Sequence, residues 1–176
     1  MKVLAVESSG MVAAAAIARE DKLMGEFLLD HHKTHSQQLM PLIDQLLGSL
    51  DVKLWDMDVF AVSKGPGSFT GLRIGMATVK GLAQALDKPV IGVPTLDGLA
   101  YNLVSREGLI CPIMDARREQ VYTSIYRSNG KLQRLEDYMA IPVMELIQKL
   151  KTFDEPVMFN GDGVTVYWDI IKRELA

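Results

Sequence analysis

The most distinctive part of this sequence is Gly65-Pro66-Gly67-Ser68-Phe69-Thr70-Gly71-Leu72-Arg73-Ile74-Gly75. It follows the apolar run Val59–Ser63, which has the composition of a buried strand. A helical pattern over Thr70–Asp87 comes next. A glycine-rich turn between a strand and a helix leaves backbone N–H groups at the helix N-terminus, where an anion binds favourably. The stretch predicts a strand–turn–helix unit, with anion binding as one candidate role.

The established phosphate-binding motifs do not fit this turn. A P-loop has a lysine after its last glycine, and here Leu72 follows Gly71. A dinucleotide-binding fingerprint has a third glycine where this chain has Thr70, and the next strand runs into Pro94 without an acidic residue. Ser68 lacks the G-x-S-x-G frame of a nucleophile elbow. The spacing alone favours a tight turn that lets the helix approach the sheet.

The helix Thr70–Asp87 has two apolar faces, whereas an ordinary surface helix has one. At about 100° per residue, one stripe carries Leu72, Met76, Val79, Ala83 and Leu86. The opposite side carries mostly small residues, Ile74, Ala77, Thr78, Gly81 and Ala85, beside a polar edge of Arg73, Lys80, Gln84 and Asp87. Gly81 and Thr78 are poor helix formers, which favours a packing role. The small-residue face is covered either by a neighbouring helix or by another subunit, and the sequence leaves both open.

The order of the elements repeats along the chain. The first half has strands over Lys2–Glu7, Met11–Ala18 and Lys22–Asp30, a helix over His35–Leu50, the strand and helix above, a strand over Pro89–Val93 and a helix over Thr95–Arg106. The second half has strands over Leu109–Met114, Glu119–Tyr126 and Lys131–Tyr138, then a helix over Pro142–Lys151, a strand over Pro156–Phe159 and a helix over Val164–Leu175. Both halves begin strand-strand-strand-helix-strand-helix. We predict two copies of one α/β unit, residues 1–107 and 108–176, with the second copy cut short.

Composition restricts the classes of function. Nineteen Lys and Arg against 22 Asp and Glu give a net charge of −3, which argues against independent nucleic-acid binding, because phosphate contacts need clustered cations. The single cysteine, Cys111, excludes an internal disulfide, indicates a reducing compartment and lies in an apolar strand, where we expect it in the core. The longest apolar run, Met11–Ala18, is far shorter than a membrane span, and Glu7 comes too early for a signal peptide. We expect a soluble, cytoplasmic protein.

Two polar hairpins and a histidine run are further candidate sites. Glu7-Ser8-Ser9-Gly10 joins the first two strands, and Asp115-Ala116-Arg117-Arg118 occupies the corresponding turn of the second half. Such turns would suit a metal–nucleotide, but the second has no glycine and carries two arginines, so we interpret both as polar turns and keep the nucleotide site as the alternative. His31 and His35 have metal-ligand spacing. No cysteine or carboxylate neighbour completes a set, so we expect a solvated helix entrance.

Four motifs of the chain resemble the TsaB (YeaZ) family. They are Leu4-Ala5-Val6-Glu7-Ser8-Ser9, His35-Ser36-Gln37-Gln38-Leu39-Met40-Pro41, the eleven residues from Gly65 to Gly75, and Asp115-Ala116-Arg117. They span essentially the whole chain in the family's order. The resemblance implies an actin-like α/β fold of two lobes built from duplicated RNase H-like units. In that fold Glu7, Ser8, Ser9 and Asp115 would belong to degenerate phosphate hairpins.

The resemblance also implies a role. TsaB-like proteins pair with the transferase subunit TsaD, and the small ATPase TsaE joins them; the complex transfers a threonylcarbamoyl group to the adenosine beside the tRNA anticodon. Without TsaD they form homodimers. The helices Thr70–Asp87 and His35–Leu50 match the family's pairing elements, so the resemblance favours an interface on the small-residue face and Arg73. The chain would reach tRNA through the complex and needs no cofactor.

Three departures from the family pattern matter. TsaD-like proteins carry a metal-binding His-x-x-x-His where this chain has Thr95 and Leu99, which predicts no metal and no transferase centre here. Glu7 replaces the usual aspartate, which weakens a nucleotide site. TsaB-like chains usually continue beyond the position of Ala176, so the second lobe is expected to be incomplete. The alternative function is an actin-like ATPase or a glycoprotease-like hydrolase.

Overall fold

Lys2–Glu7 carries four consecutive apolar residues, as a strand covered on both faces does, and it is the central strand of the first of two sheets. The computed structural model describes residues 1–30 and 35–175, and the chain divides into two compact units, Met1–Thr95 and Leu96–Ala176. The first unit contains β1 (Lys2–Glu7), β2 (Ala13–Arg19), β3 (Lys22–Leu29), α1 (His35–Ser49), a 3₁₀ helix (Leu54–Asp56), β4 (Val59–Ser63), α2 (Phe69–Ala85) and β5 (Val90–Val93). Helix α3 (Thr95–Tyr101) follows β5.

The first sheet has the strand order β3-β2-β1-β4-β5. β1 pairs antiparallel with β2 and parallel with β4, and β5 pairs parallel with β4. Helices α1 and α2 share one core with the sheet, in which Leu42 and Val79 of the helices join Leu4 and Phe60 of the strands. Because β1 and β4 are parallel, the hairpin after β1 and the glycine-rich turn after β4 lie at the same edge of the sheet, where α/β proteins place their sites.

The second unit repeats this order around another central strand. It contains β6 (Gly108–Asp115), β7 (Gln120–Thr123), β8 (Tyr126–Ser128), β9 (Leu132–Arg134), β10 (Met139–Pro142), α4 (Val143–Lys151), β11 (Val157–Asn160) and α5 (Gly163–Leu175). β7 and β8 pair antiparallel with β6, and β11 pairs parallel with it. β10 and β9 pair with β7 and β8. This arrangement matches β3-β2-β1-β4 of the first unit, so the predicted duplicated α/β fold is confirmed.

The second unit differs from the sequence prediction in two strands. The strand expected over Glu119–Tyr126 is divided into β7 and β8, and the strand expected over Lys131–Tyr138 becomes β9, with β10 beginning at Met139. At the break, the carbonyl of Ile125 accepts hydrogen bonds from the N–H groups of Leu135 and Glu136. The partner strand therefore changes from β10 to β9 at this point, a long-range exchange that alternation of apolar residues does not encode.

Helix α3 is shorter than the predicted Thr95–Arg106 and ends at Tyr101. Beyond it the chain continues in i→i+3 hydrogen bonds, such as Val104 N–H to Tyr101 O at 3.1 Å, which tighten a helix end into turns. Ala100 of α3 packs with Ile110 and Tyr126 of the second sheet. The chain divides into its two compact units between Thr95 and Leu96, and the lobe boundary expected at 107/108 stays a prediction. Across the two described ranges, no helix has the length and apolar character needed to cross a membrane.

Candidate functional site

The glycine-rich turn packs directly on the first hairpin. Gly67 has a φ of +152°, and a Cβ there would lie 2.5 Å from the carbonyl oxygen of Ser9. The next N–H, that of Ser68, donates to the same oxygen at 2.6 Å. Only glycine fits such a close backbone approach. Gly67 is therefore required by the close packing of the turn on the hairpin. This agrees with the tight turn that the spacing favours.

Helix α2 begins inside this turn and lies close to β1. The Ser68 hydroxyl accepts a hydrogen bond from Gly71 N–H at 3.2 Å, which caps the helix. The buried Ser8 hydroxyl donates to Gly71 O at 2.9 Å, and a Cβ at Gly75 would overlap that hydroxyl. The buried positions of α2 are Gly71, Gly75, Val79 and Ala83, whereas Leu72, Met76 and Leu86 of the expected inner stripe are half-buried. The first turns of α2 thus approach the sheet through glycine.

The first hairpin is occupied by its own acidic side chain. The Glu7 carboxylate accepts hydrogen bonds from Ser9 N–H at 2.5 Å and from the Ser63 hydroxyl at 3.0 Å. The backbone N–H of Ser9 is therefore already bonded to a carboxylate of the chain. These contacts favour the interpretation as a polar turn.

The second hairpin is held in the same way. Asp115 accepts Arg117 N–H and the Tyr167 hydroxyl, both at 2.9 Å, and the Asp162 carboxylate accepts Asp115 N–H at 3.2 Å. Burial, followed by the hydrogen bond to Asp115, raises the pKa of Tyr167 to about 12. Sequence reasoning did not assign Asp162 and Tyr167 to this cluster; the turn Gly161-Asp162-Gly163 was the signal for one of them. The cluster fixes the turn that presents Arg117.

The small-residue face of α2 is largely open to solvent in this chain. Ala77, Gly81 and Ala85 are exposed, and so are Phe69 and Arg73 on the preceding turns. These five residues recur every fourth position and form what we call the outer stripe of α2. The Arg73 guanidinium stacks 3.8 Å from the centre of the Phe69 ring, and Phe69 is 67% exposed. Phe69 belongs to the glycine-rich motif, and the helical pattern of the sequence does not include it among the predicted interface residues.

Two residues of the predicted interface lie between that face and the core. Ile74 is half-buried and packs against the core of the first unit, and Thr78 is also half-buried. Ile74 therefore contributes part of its side chain to the packing of the first unit. Its position shows that the small-residue face is narrower than the helical pattern indicated.

The remaining candidates are placed as follows. Gly65, Pro66 and Gly67 are half-buried, and Ser36, Ser68 and Thr70 are exposed. Cys111 is fully buried, so the predicted core position is confirmed, and burial raises the pKa of its thiol to about 12. His31 and the side chain of His35 lie outside the described residues. Within residues 1–30 and 35–175, no three or more His, Cys, Asp and Glu side chains come together as a metal site would require.

Comparison with known proteins identifies the family. A family model described as TsaD, tRNA N6-adenosine threonylcarbamoyltransferase, matches residues 29–175. The tRNA threonylcarbamoyladenosine biosynthesis protein TsaB of Bacillus subtilis is 38% identical over 177 residues, covering 100% of this chain and 77% of that protein. YeaZ from Pseudomonas aeruginosa superposes with a TM-score of 0.72 at 30% identity, covering 80% of this chain and 66% of that structure.

A more distant structure supports the fold class alone. The ROK hexokinase of Thermus thermophilus superposes with a TM-score of 0.55 at 13% identity, over 99% of this chain and 88% of that one. It carries the actin-like fold that the resemblance implied, so that expectation is confirmed. Together with the motifs on the hairpin and the glycine-rich turn, these similarities show that the chain belongs to the TsaB (YeaZ) family.

Proposed function

We propose that this chain is a partner subunit in the formation of threonylcarbamoyladenosine in tRNA and that it binds a TsaD-type transferase through the outer stripe of α2. Two relatives are named as tRNA threonylcarbamoyladenosine biosynthesis proteins, and these names support a role in that biosynthesis. The observation that carries the pairing is the stripe itself, because its small residues are exposed along the second half of a 17-residue helix.

The stripe has the properties of a helix–helix contact. The distance between packed helices depends on the side chains at the contact, and small residues bring the axes close. Apart from its chain neighbours and the nearby backbone of α2, none of the described residues lies within 4 Å of a Cβ built at Gly81, although glycine inside a helix costs about 1 kcal/mol relative to alanine. Phe69 and Arg73 add an aromatic ring and a guanidinium, side chains that often dominate binding energy at interfaces. A partner helix would use both features.

The remaining assignments follow from that pairing. In the absence of a TsaD-type partner, the same stripe would join two copies of the chain. A TsaE-type ATPase would join the heterodimer, and tRNA would be held by the complex, because a net charge of −3 gives this chain little phosphate affinity of its own. A cytoplasmic location agrees with the single buried thiol.

We further propose that the chain itself is not the catalyst. Thr95 and Leu99 stand where the resemblance places the metal-binding histidines of TsaD, and the Glu7 carboxylate occupies the first hairpin. The alternative, an actin-like ATPase or a hydrolase, predicts nucleotide binding at that hairpin. Calorimetry with ATP and magnesium separates the two, because submillimolar affinity would favour the ATPase.

The pairing is tested with the double variant Ala77→Arg/Gly81→Leu. We expect it to lose co-purification with the TsaD-type subunit, because two large side chains would hold the helices apart. The matched control is Gly98→Leu/Asn102→Arg, which places the same two side chains four residues apart on exposed positions of α3 and the turn after it. The control should co-purify at the wild-type yield. An equal yield from the α2 variant would refute the interface.

A further inference from the structure

One edge of the second sheet is open at β11, whereas the corresponding edge of the first sheet is closed. β4 pairs with β1 on one side and with β5 on the other, and all five of its residues are buried. β11 has the equivalent place beside β6, but among the described residues no strand pairs with its other edge. All four of its residues are half-buried. The backbone groups along this edge are therefore free to pair with a further strand.

An apolar groove in the second unit lies beside β11. It encloses about 690 Å³ and contains no residue of α1 or α2. Val157 and Phe159 line it from β11, and Trp168, Ile171 and Leu175 line it from α5. Trp168 is 47% exposed. Because successive side chains of a strand point to opposite faces, a strand added beside β11 would direct every second side chain towards this groove.

The first unit shows what kind of segment fits such an edge. β5 runs parallel to β4 and consists of the apolar residues Val90–Val93. Lys88 lies two residues before β5, and Asp58 immediately precedes β4. The hydrogen bond from Lys2 N–H is the largest influence that lowers the pKa of Asp58, and the positive charge of Lys88 adds to it. The two paired strands therefore begin beside opposite charges.

The start of β11 carries an acidic side chain that has no such counterpart. Asp154 lies three residues before β11, is exposed and lines the groove. No ion pair joins its carboxylate to any residue that the structure describes. Lys151, which lines the same groove, is paired with Glu174 at 3.9 Å. A cation just before an added strand would therefore find an unpaired carboxylate, and opposite charges on neighbouring strands attract.

We propose that the open edge of β11 binds an extended segment of another polypeptide that has a Lys or Arg just before a short apolar strand. The segment would run parallel to β11, as β5 runs parallel to β4. Its alternate side chains would enter the groove beside Trp168, and its cation would face Asp154. Addition of a strand to an exposed sheet edge is a recurring mode of peptide recognition. The pairing proposed above uses α2, so the two proposals can fail separately.

The test supplies the chain with a second copy of its own β5 segment. Residues Lys88–Val93 are appended to the full chain through a flexible Gly/Ser linker of about ten residues. The linker makes the contact intramolecular, so a strand that binds weakly in solution is still populated. Trp55→Phe leaves Trp168 as the sole tryptophan of the two. We expect the amides of β11 to exchange about tenfold more slowly and the emission of Trp168 to shift to the blue.

Variants of the appended copy assign the effect to strand pairing and to charge. Val90→Pro/Ile91→Pro in the copy removes an N–H on either edge of the strand and should abolish the protection. Lys88→Glu in the copy should reduce the protection about threefold, the size of one exposed ion pair. In a chain carrying Asp154→Asn, the original and Lys88→Glu copies should protect β11 equally. Asparagine keeps the left-handed backbone at Asp154.

Three results would overturn the proposal. They are unchanged exchange of β11 with the original copy, equal protection by the double-proline copy, and a Lys88→Glu effect that persists in the Asp154→Asn chain. Protection of β11 that rises with protein concentration in the absence of any appended copy would assign the edge to a second copy of the chain, which also contradicts it. Matched thermal unfolding midpoints of the Asp154→Asn and unchanged chains show that both are folded.

Discussion

Gly75 and Gly81 lie six residues apart on α2, and the tertiary structure gives them opposite roles. Gly75 is buried, and a Cβ there would overlap the Ser8 hydroxyl, which is itself bonded to Gly71 O. Gly81 is exposed, and outside its own stretch of α2 no residue in the part of the chain that the structure describes comes within 4 Å of a built Cβ. Both are equivalent in the sequence as helix-interior glycines. Substituting the two glycines therefore separates the effect of close packing, at Gly75, from the effect of helix propensity, at Gly81.

We expect Gly75→Ala to lower the free energy of unfolding by about 1–3 kcal/mol, the usual cost of overpacking a filled site. Gly81→Ala should raise it by up to about 1 kcal/mol, because alanine is the better helix former. Urea unfolding followed by circular dichroism measures both. Adding Ser8→Ala to Gly75→Ala should recover part of the loss, since it removes the overlapped oxygen. Equal effects of the two alanine variants would contradict the close packing of Gly75 against the Ser8 hydroxyl.

Helix α2 combines two surfaces at the scale of a single element. Its buried side packs on β1 and β4 through glycine, Val79 and Ala83. Its exposed side presents the outer stripe, in which Phe69 and Arg73 are the large side chains at the N-terminal end. An element of this kind contributes to folding with one side and remains free to bind with the other. The stacked pair is where we expect binding energy to concentrate.

Phe69→Ala tests that expectation. The variant should weaken binding to a TsaD-type partner about thirtyfold, as removal of an interface hot spot does, with little change in stability because the ring is 67% exposed. The matched control is Tyr101→Ala, which removes another aromatic ring that is 66% exposed. Titration calorimetry gives both affinities. Equal affinities of the two variants would remove Phe69 from the interface.

At the scale of the whole molecule, the described residues form two main cores that have no residue in common, beside a smaller cluster of Ala100, Ile110 and Tyr126 in the second unit. The first joins α1 and α2 to the sheet around β1, and the second joins α4 and α5 to the sheet around β6. Each core closes over its own sheet with helices that follow the strands in the chain. Local opening of one core is therefore expected to expose its own amides first.

Leu146→Ala tests this at the level of hydrogen exchange. Leu146 is fully buried in the second core, and the truncation should cost about 2–5 kcal/mol. Amides of β6 should then exchange faster than in the wild type, by a larger factor than amides of β1. The reciprocal variant, Leu42→Ala in the first core, should reverse the pattern. Uniform acceleration in both sheets would contradict separate cores.

Much of the fold could be predicted from the sequence because its signals are local. β1, β4, α1, α4 and β11 form within two residues of the predicted bounds, since apolar periodicity and glycine turns act over a few residues. The division of the second-unit strands at Ile125 could not be predicted, because it depends on hydrogen bonds to Leu135 and Glu136. The end of α3 at Tyr101 could not be predicted either. The apolar residues after it keep helical spacing in the sequence, but they lie in turns.

The candidate site, too, could be predicted only in part from the sequence. The sequence by itself determined the duplicated α/β order, the family motifs and the presence of a second apolar face on α2. The tertiary structure alone decided that Ile74 packs half-buried against the core, that the Glu7 carboxylate bonds to its own hairpin and that Ala77, Gly81 and Ala85 are exposed among the described residues. Periodicity fixes which side chains share a face, but whether that face meets another part of the chain depends on packing between distant segments.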